Sequence, residues 1–309
     1  MNRAPRTAPL IALSTCASHP GMMAGDDEAL IDALEPMGFV CERPRWDDDS
    51  VDWGGYDAVL IRTTWDYQEK LGAFMAWVER VSERTTLLNP APVVRANVDK
   101  RYLRELERVG AAIVPTRWIE GPITADELGA LVAGGRPVDG VAGVLKPVVG
   151  AGASGLMMFR GDELERGAAH ARGLVEACGG AMLQAPVGSI RSRGELSVVL
   201  IDGEVTHAVR KRPSEGDWRV QIEFGGRYEL EQPGEREPAI SRLAVESLGG
   251  GETPLYARID LVEVEGMGPA VIEAELIEPE LFFPMAPGSA RAFGVALGRR
   301  LGVSLGSDA

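Results

Sequence analysis

The chain is poor in the side chains that build zinc sites, disulfides and nucleic-acid grooves. It contains three histidines and three cysteines, and Cys16, Cys41 and Cys178 lack metal-ligand spacing, which disfavours a zinc or histidine-rich centre. The odd, low cysteine count favours a reduced, cytoplasmic setting. Thirty-two basic residues against 46 acidic ones give a net charge of −14, which argues against nucleic acid or an anionic membrane surface as the main partner.

Long hydrophobic runs are also missing. No stretch reaches the roughly 18 consecutive apolar residues of a membrane span, and the apolar run near the N-terminus is too short for a signal peptide. With 45% hydrophobic and 25% charged residues in 309 positions, the chain has the composition of a globular protein of two or three domains. We therefore expect a soluble protein whose partners are small molecules, with a homodimer left open.

The periodicity of the chain predicts an α/β opening followed by mixed α and β segments. A strand at 10–14, a helix at 26–37 and a strand at 57–62 form a βαβ pattern. Composition and pattern change near 96 and again near 185, where a strand ends at a proline. We expect three domains with the following bounds: 1–96, 97–185 and 186–309.

Two alternating runs near the C-terminus, at 257–261 and 270–276, predict an antiparallel hairpin around a Gly-Pro turn at 266–269. A symmetric turn would place Ile272 on the apolar face and set Asp260 opposite Glu275, at a Cβ separation of roughly 5 Å. The charged face would carry Arg258, Asp260, Glu273 and Glu275. Crowded carboxylates repel one another unless a cation lies between them, and Mg²⁺ prefers such oxygen ligands. The alternative is an amphipathic hairpin whose charged face meets solvent.

A glycine-rich loop at Gly150-x-Gly152-x-x-Gly155 matches the dinucleotide-binding fingerprint letter for letter. The fingerprint must open a helix, but the residues that follow here are typical of a strand. A flexible loop between two strands suits instead a flap whose backbone N–H groups cover a triphosphate, with a plain glycine-rich hairpin as the alternative. Just upstream, Lys146 lies in an apolar strand, where an unpaired ammonium is costly, so an anionic partner is favoured.

The order of these motifs resembles that of the ATP-grasp ligases. The resemblance covers about residues 94–283 and rests on Asn97-x-Asp99-Lys100, Leu145-Lys146-Pro147 with the glycine loop, Leu183-Gln184-Ala185-Pro186-Val187, Gly194-Glu195, Lys211, Arg258-x-Asp260 and Glu273-x-Glu275. The segments at 62–67 and 277–282 resemble, more narrowly, sequences of the ATP-grasp branch that contains the D-cycloserine-forming cyclo-ligase. The resemblance implies an α/β fold class with an α+β ATP-grasp unit. A small N-terminal α/β domain would precede two α+β lobes that sandwich ATP.

The resemblance also implies which residues bind ATP. Lys100, Lys146 and Lys211 would contact the phosphates. The flap over the γ-phosphate would consist of Gly150, Gly152, Ala153, Ser154 and Gly155. The adenosine would meet Gln184, Ala185, Val187 and Glu195, the last of these at the ribose.

By the same resemblance, Asp260, Glu273 and Glu275 would hold two Mg²⁺ ions, or Mn²⁺, and Arg258 would stabilise the charge that develops on the acyl centre. Many relatives carry Asn where this chain has Glu275, so the number of metal ions stays open.

Residues of the first domain are expected to contact the substrate. These are Arg62, Trp65, Asp66 and Tyr67. Arg62 and Asp66 follow an apolar strand, where the ligand sites of α/β sheets gather, although the two aromatic residues could simply pack that domain.

The predicted activity is that of a Mg²⁺-dependent ligase. It would activate a carboxylate as an acyl phosphate for attack by an amine or hydroxylamine nitrogen, with ring closure inside one amino-acid-like substrate as one form of the reaction. A dipeptide-type amino acid ligase and a nucleotide-binding protein without turnover are the alternatives. An NAD-dependent oxidoreductase would rest on the glycine pattern alone.

Overall fold

The computed structural model describes residues 8–17, 24–150, 152 and 154–303. The strands of these residues form three sheets, one from each third of the chain. Within the described part of the chain, no helix is both long enough and apolar enough to cross a membrane.

The first sheet is parallel and forms the predicted α/β opening, with the strand order β2-β1-β3-β4. Its strands are β1 (Leu10–Thr15), β2 (Val40–Glu42), β3 (Ala58–Thr63) and β4 (Thr86–Leu88). Helices α1 (Ala24–Leu34) and α2 (Leu71–Ser82) accompany it, together with short 3₁₀ turns at Glu35–Met37, Trp53–Gly55 and Tyr67–Lys70. All of β3 is buried, as expected for an inner strand of a parallel sheet covered on both faces.

The second sheet is antiparallel and carries the glycine loop, with the order β5-β8-β6-β7. Helices α3 (Ala91–Asn97) and α4 (Tyr102–Arg108) precede its strands β5 (Thr116–Ile119), β6 (Val141–Pro147), β7 (Met157–Arg160) and β8 (Ala181–Gln184). Helices α5 (Ala125–Val132) and α6 (Leu164–Cys178) pack on it. Just before β5, Ile113 forms a single bridge with Val271 of the third sheet.

The third sheet is also antiparallel, with the order β11-β10-β9-β12-β13. Its strands are β9 (Glu195–Ile201), β10 (Glu204–Arg212), β11 (Arg227–Leu230), β12 (Tyr256–Val264) and β13 (Gly268–Glu275). Helices α7 (Ser189–Arg193), α8 (Glu237–Leu248) and α9 (Pro287–Leu301) complete this part, with a 3₁₀ turn at Ile222–Phe224. Leu196, Val198 and Leu200 face α4 and α8, whereas Val199 and Ile201 on the other face join the core of the first sheet.

The hairpin β12–β13 differs in register from the prediction. Arg258 pairs with Glu275, and Asp260 pairs with Glu273 rather than with Glu275. Beyond them Leu261 pairs with Val271, so Ile272 is an extra residue, a β-bulge. The bulge reverses the alternation: Val271 is fully buried, and Ile272 lies on the opposite side, in a cavity wall. The turn is also shorter than expected, because the Met267 N–H donates to the Val264 carbonyl at 3.0 Å.

Two buried asparagines connect the first third of the chain to the third sheet. The Asn89 amide donates to the carbonyls of Tyr256 and Leu276 at 2.8 and 2.7 Å. The Asn97 amide donates to the Ala274 carbonyl at 2.9 Å and accepts from the Leu276 N–H at 2.8 Å. Each amide thus supplies hydrogen bonds that a strand edge would otherwise lack. The domain bounds at 96 and 185 stay a prediction, although the first and third sheets share one hydrophobic core.

Candidate active site

Two connected cavities lie between the glycine hairpin and the third sheet. The larger has a volume of about 570 Å³ and the smaller about 120 Å³. They share a wall that contains Gly150, Glu195, Gln221 and Glu273. A ligand could therefore extend from one cavity into the other.

Three carboxylates project from the hairpin β12–β13 into this cleft. Asp260, Glu273 and Glu275 each offer one oxygen, and these oxygens lie within 4.8 Å of one another. The register explains the cluster, because Asp260 and Glu273 are direct neighbours across the two strands and Glu275 follows two positions along. Three carboxylate oxygens at this spacing fit Mg²⁺, a hard cation that accepts carboxylates and completes its shell with water or phosphate.

Asp260 is held ionised by two cations and a hydroxyl. The Arg258 guanidinium lies 3.0 Å from its Oδ2, the Lys211 ammonium 3.3 Å from the same oxygen, and the Ser197 hydroxyl donates to Oδ1. Burial alone would raise the pKa of Asp260, but Arg258 and Lys211 outweigh it and hold the pKa below its ordinary value. Lys211 also pairs with Glu195.

Glu273 and Glu275 differ in charge balance. Burial would raise the pKa of Glu273, but the Lys100 ammonium at 2.9 Å lowers it below the ordinary value. Glu275 is bonded by Arg258, yet burial, with Glu273 and Asp260 beside it, raises its pKa to about 7. A cation bound among the three carboxylates would favour the ionised form of Glu275.

Lys146 lacks the partners that the other lysines of the cleft have. Lys100 donates to the Gly150 carbonyl in addition to its pairing with Glu273. Lys146 makes no hydrogen bond or ion pair with any residue that the structure describes, and burial lowers its pKa. A largely buried ammonium without a partner is costly, so this position fits an anionic group such as a phosphate.

The smaller cavity has the character of a pocket for a flat, apolar ring. The residues predicted to meet adenosine line it, namely Gln184, Ala185, Val187 and Glu195. Apolar side chains that the sequence analysis did not select complete the wall: Val144, Leu156, Met158, Ile190, Val220 and Ile272. Alternation along β6 could have identified Val144, two residues before Lys146, but the bulge hid Ile272.

The glycine loop joins two antiparallel strands, as predicted for a flap. Gly150, Gly152 and Ser154 line both cavities, and Gly155 lines the larger one. Gly152 and Gly155 have φ values of 59° and 70°, in the left-handed region that favours glycine. The loop leads into the strand β7 rather than a helix, so the dinucleotide-binding alternative is wrong. Ala153 lies outside the described residues.

The four residues expected to contact the substrate separate into two pairs. Trp65 lines the larger cavity, and its indole N–H donates to the Glu278 carbonyl at 3.2 Å. The buried Tyr67 packs against Phe74 at a ring distance of 4.6 Å and hydrogen-bonds the Glu278 carboxylate beneath the cavity. Trp65 therefore lies at the cavity, and Tyr67 lies behind it, in contact with the lining residue Glu278.

Arg62 and Asp66 lie away from it, contrary to expectation. Arg62 is completely buried, and its guanidinium donates to Asp26 at 2.8 Å, to Asp27 at 3.1 Å and to the Pro279 carbonyl at 3.1 Å. Asp66 accepts from the Trp46 indole at 2.7 Å and from Lys70 at 3.0 Å. Arg62 lies near the end of the apolar strand β3 and Asp66 three residues beyond it, but their charges are used to fix the surrounding chain.

Glu278 and Glu280 are cavity residues that the sequence analysis missed. Glu278 is 8% exposed, and burial, with Glu275 nearby, raises its pKa to about 8. Burial likewise raises the pKa of Glu280 to about 7. The apolar residues that flank these two glutamates in the sequence could have identified them, because a glutamate in such surroundings is usually paired or functional.

Comparisons with known proteins agree with this geometry. Residues 11–89 match the family model of the D-cycloserine synthetase DcsG N-terminal domain, and residues 139–265 match that of the prokaryotic glutathione synthetase ATP-grasp domain. The cycloserine biosynthesis protein DcsG of Streptomyces lavendulae is 30% identical over 283 residues, which cover 89% of this chain and 94% of that protein.

Solved structures show the same fold. The crystal structure of D-cycloserine synthetase DcsG has a TM-score of 0.85 and 29% identity, with 94% of this chain and 99% of that chain covered. The ATP-grasp ligase PsnB, solved with a minimal precursor, Mg and ADP, has a TM-score of 0.60 at 15% identity, with 93% and 97% covered. The chain therefore belongs to the D-cycloserine synthetase family of ATP-grasp ligases and is an ATP-dependent C–N ligase.

Proposed function

We propose that this ligase activates a substrate carboxylate as an acyl phosphate and that an amine or hydroxylamine nitrogen then attacks it, closing a ring within one amino-acid-like substrate. The observation that carries the proposal is the meeting, in one cleft, of the carboxylates of Asp260, Glu273 and Glu275 with the unpartnered ammonium of Lys146. This combination supplies both a metal site and an anion site, as phosphoryl transfer requires.

The proposed nucleotide site uses the smaller cavity and the wall it shares with the larger one. The adenine ring would lie against Val144 and Ile272, and Lys100 and Lys146 would contact the phosphates under the glycine flap. Gln184, Ala185, Val187 and Glu195 keep the adenosine role, and Lys211 a phosphate role. Mg²⁺, or Mn²⁺ in its place, would neutralise charge on the transferred phosphoryl group.

Arg258 is proposed to act at the acyl centre. Its guanidinium is fixed between Asp260 and Glu275, and Nη1 also donates to the Glu280 carbonyl at 3.3 Å. A guanidinium held in place before the reaction needs no rearrangement to stabilise the oxyanion formed when nitrogen attacks. Closure of the glycine flap would keep water from the acyl phosphate.

A dipeptide-type ligation is the second candidate, because the larger cavity, at about 570 Å³, also has room for two amino acids. The two reactions differ in how many organic substrates they need.

The test is an ADP-release screen over D- and L-amino acids and O-substituted serines, supplied singly and in pairs, with mass spectrometry of the product. We expect release with one compound alone, which indicates cyclisation; a requirement for two would establish the dipeptide-type reaction instead. Absence of ADP release with every compound would contradict the proposed function.

Glu273→Gln tests the metal site, because Glu273 pairs with Lys100 alone whereas Asp260 anchors two buried cations. The variant should need at least about tenfold more Mg²⁺ for half-maximal turnover, since one charged ligand is lost. Glu246→Gln, at an exposed position of α8, is the matched control. Normal turnover of Glu273→Gln at limiting Mg²⁺ would remove Glu273 from the metal site.

A further inference from the structure

The segment at 278–283, which follows β13, is held by side chains rather than by a sheet. Four successive carbonyls of this segment each accept a hydrogen bond from a different side chain. The donors are Trp65 to Glu278, Arg62 to Pro279, Arg258 to Glu280 and His207 to Leu281, at 3.2, 3.1, 3.3 and 2.9 Å. The Asp26 carboxylate accepts the N–H groups of Leu281 and Phe283 at 2.9 and 2.7 Å. Side chains thus replace the ladder of hydrogen bonds that a neighbouring strand would supply.

One buried ion pair of the first domain binds the backbone on both sides of Glu280. Arg62 donates to Asp26 Oδ2 at 2.8 Å, and both side chains are buried. Arg62 also binds the carbonyl that precedes Glu280, and the same Asp26 oxygen accepts the N–H that follows it. Because the charged groups of this pair are removed from water, they have few other partners to exchange for. The backbone around Glu280 is therefore tied to the first domain.

The peptide group between Glu280 and Leu281 connects Asp26 to Arg258. A peptide group is planar, with its carbonyl and its N–H at opposite ends. Asp26 accepts the N–H of this group, and Arg258 Nη1 donates to its carbonyl. A tilt of the plane at the Asp26 end would therefore displace the guanidinium at the other end.

The Glu280 carbonyl differs in kind from the other partners of Arg258. The guanidinium also donates to the carboxylates of Asp260 and Glu275, which belong to the cluster of three carboxylates that fits Mg²⁺. A cation in that cluster would weaken the attraction of both carboxylates for the guanidinium, whereas the hydrogen bond to a neutral carbonyl depends on charge much less.

We propose that Asp26, Arg62 and His207 are positioning residues for Arg258: they fix the peptide planes around Glu280, and the Glu280 carbonyl in turn fixes the guanidinium at the acyl centre. The inference rests on the proposed function for the role of Arg258. His207 contributes from β10 by holding the Leu281 carbonyl, and since a carbonyl can only accept, its Nε2 atom carries the proton. The first domain thereby takes part in the chemistry without touching the reacting atoms.

The Arg258 Nε–H signal in ¹⁵N-correlated NMR spectra of the full chain tests the positioning without requiring turnover, and Arg258→Lys assigns that signal. Asp26→Asn and His207→Leu should shift or broaden it, because an amide cannot accept both N–H groups and leucine cannot donate. His207→Leu leaves the buried ion pair intact, so it decides the question even if Asp26→Asn fails to fold. Thr85→Val is the control, since it removes a hydrogen bond to the Tyr56 carbonyl elsewhere in the first domain. An unchanged Arg258 signal in His207→Leu would overturn the proposal.

Kinetics with the compound identified by ADP release give the second measurement. In Asp26→Asn and in His207→Leu, kcat should fall about tenfold while the KM for ATP changes less than about twofold, because a displaced guanidinium weakens transition-state contacts and leaves the nucleotide contacts intact. His207→Gln keeps an N–H donor and should restore kcat to within about threefold of wild type.

A double variant separates positioning from general damage. Arg258→Lys/His207→Leu should turn over no more slowly than Arg258→Lys, because both changes act through one guanidinium; additive losses would refute the positioning role. Normal turnover of Arg258→Lys with a displaced Arg258 signal in His207→Leu would contradict the proposed function and support the positioning. Reduced turnover of Arg258→Lys with an undisplaced signal would do the reverse.

Discussion

At the residue scale, three lysines of one cleft have different electrostatic environments. Lys211 pairs with Glu195 and Asp260, and Lys100 pairs with Glu273. Lys146, in contrast, meets no acidic partner within ion-pair distance among the described residues. Under the proposed function its charge would serve ligand binding, and without an ion pair it does not stabilise the fold.

Lys146→Met should separate these two properties. The free energy of unfolding without nucleotide should stay unchanged or rise by about 1 kcal/mol, because a desolvated charge is replaced by an apolar chain of similar length. Affinity for ATP should fall at least about tenfold, because a charge-assisted hydrogen bond is lost. Denaturant unfolding and calorimetry measure the two quantities.

Lys211→Met is the matched comparison. It leaves the buried Glu195 without its ion-pair partner and Asp260 with Arg258 alone, so the free energy of unfolding should fall by about 3–5 kcal/mol. If Lys146→Met destabilised the protein as much as Lys211→Met, the electrostatic contrast between the two lysines would be wrong.

At the element scale, the β-bulge at Ile272 decides which side chains of β13 reach the cleft. Simple alternation placed Ile272 in the core, and the structure places Val271 there instead. The bulge brings the apolar Ile272 and the acidic Glu273 to the same cleft, so under the proposed function one strand would serve both the adenine side and the metal side of the site.

Val271→Ala should therefore mainly lower stability, whereas Ile272→Ala should mainly raise the KM for ATP. The first should lower the free energy of unfolding by about 2 kcal/mol, because it leaves a small cavity in the core, with little change in the KM for ATP. The second should raise that KM about tenfold with a smaller loss of stability, because apolar contact with the ring is lost. Equal effects of the two variants on KM would contradict the observed register.

The spacing of apolar residues predicted most helices and strands, because that spacing reflects which face of each element is buried. The α/β opening, the glycine hairpin and the antiparallel C-terminal strands occur where expected, within a few residues. A bulge leaves no mark in composition, so the pairing of Asp260 with Glu273 could not be read from alternation. Arg62 was misplaced for a different reason: a charge after an apolar strand indicates either a ligand site or a buried ion pair, and Asp26 and Asp27 lie 36 and 35 residues away along the chain.

At the scale of the whole molecule, the acidic cavity wall makes stability depend on pH. Burial raises the pKa of Glu278 to about 8 and that of Glu280 to about 7, above the ordinary value of 4.5. The folded state thus binds these protons more tightly than the unfolded state. Their stabilising effect is complete below about pH 4.5 and is lost as the pH rises through 7 to 8.

Thermal unfolding without ligands tests this expectation. Relative to the double variant Glu278→Gln/Glu280→Gln, the Tm of the wild-type enzyme should fall by a few degrees between pH 6 and pH 9, for a loss of order 2 kcal/mol. The lowered pKa values of Asp260 and Glu273 act only at more acidic pH, and groups outside the pair cancel in the comparison. A Tm difference independent of pH would show that these glutamates are ionised in the folded protein throughout this range.

The core shared by the first and third sheets limits how such ligases can be recombined. A fragment that starts at residue 97 would leave Val199, Ile201 and Val209 of the third sheet facing water instead of Ile11, Leu13 and Leu60. A first domain taken from another ligase would have to match that apolar face and supply asparagines equivalent to Asn89 and Asn97. If Trp65 and Tyr67 contribute to substrate binding as predicted, they are inherited together with the surface that docks the first domain, and grafting a new specificity requires exchanging both sides of that contact.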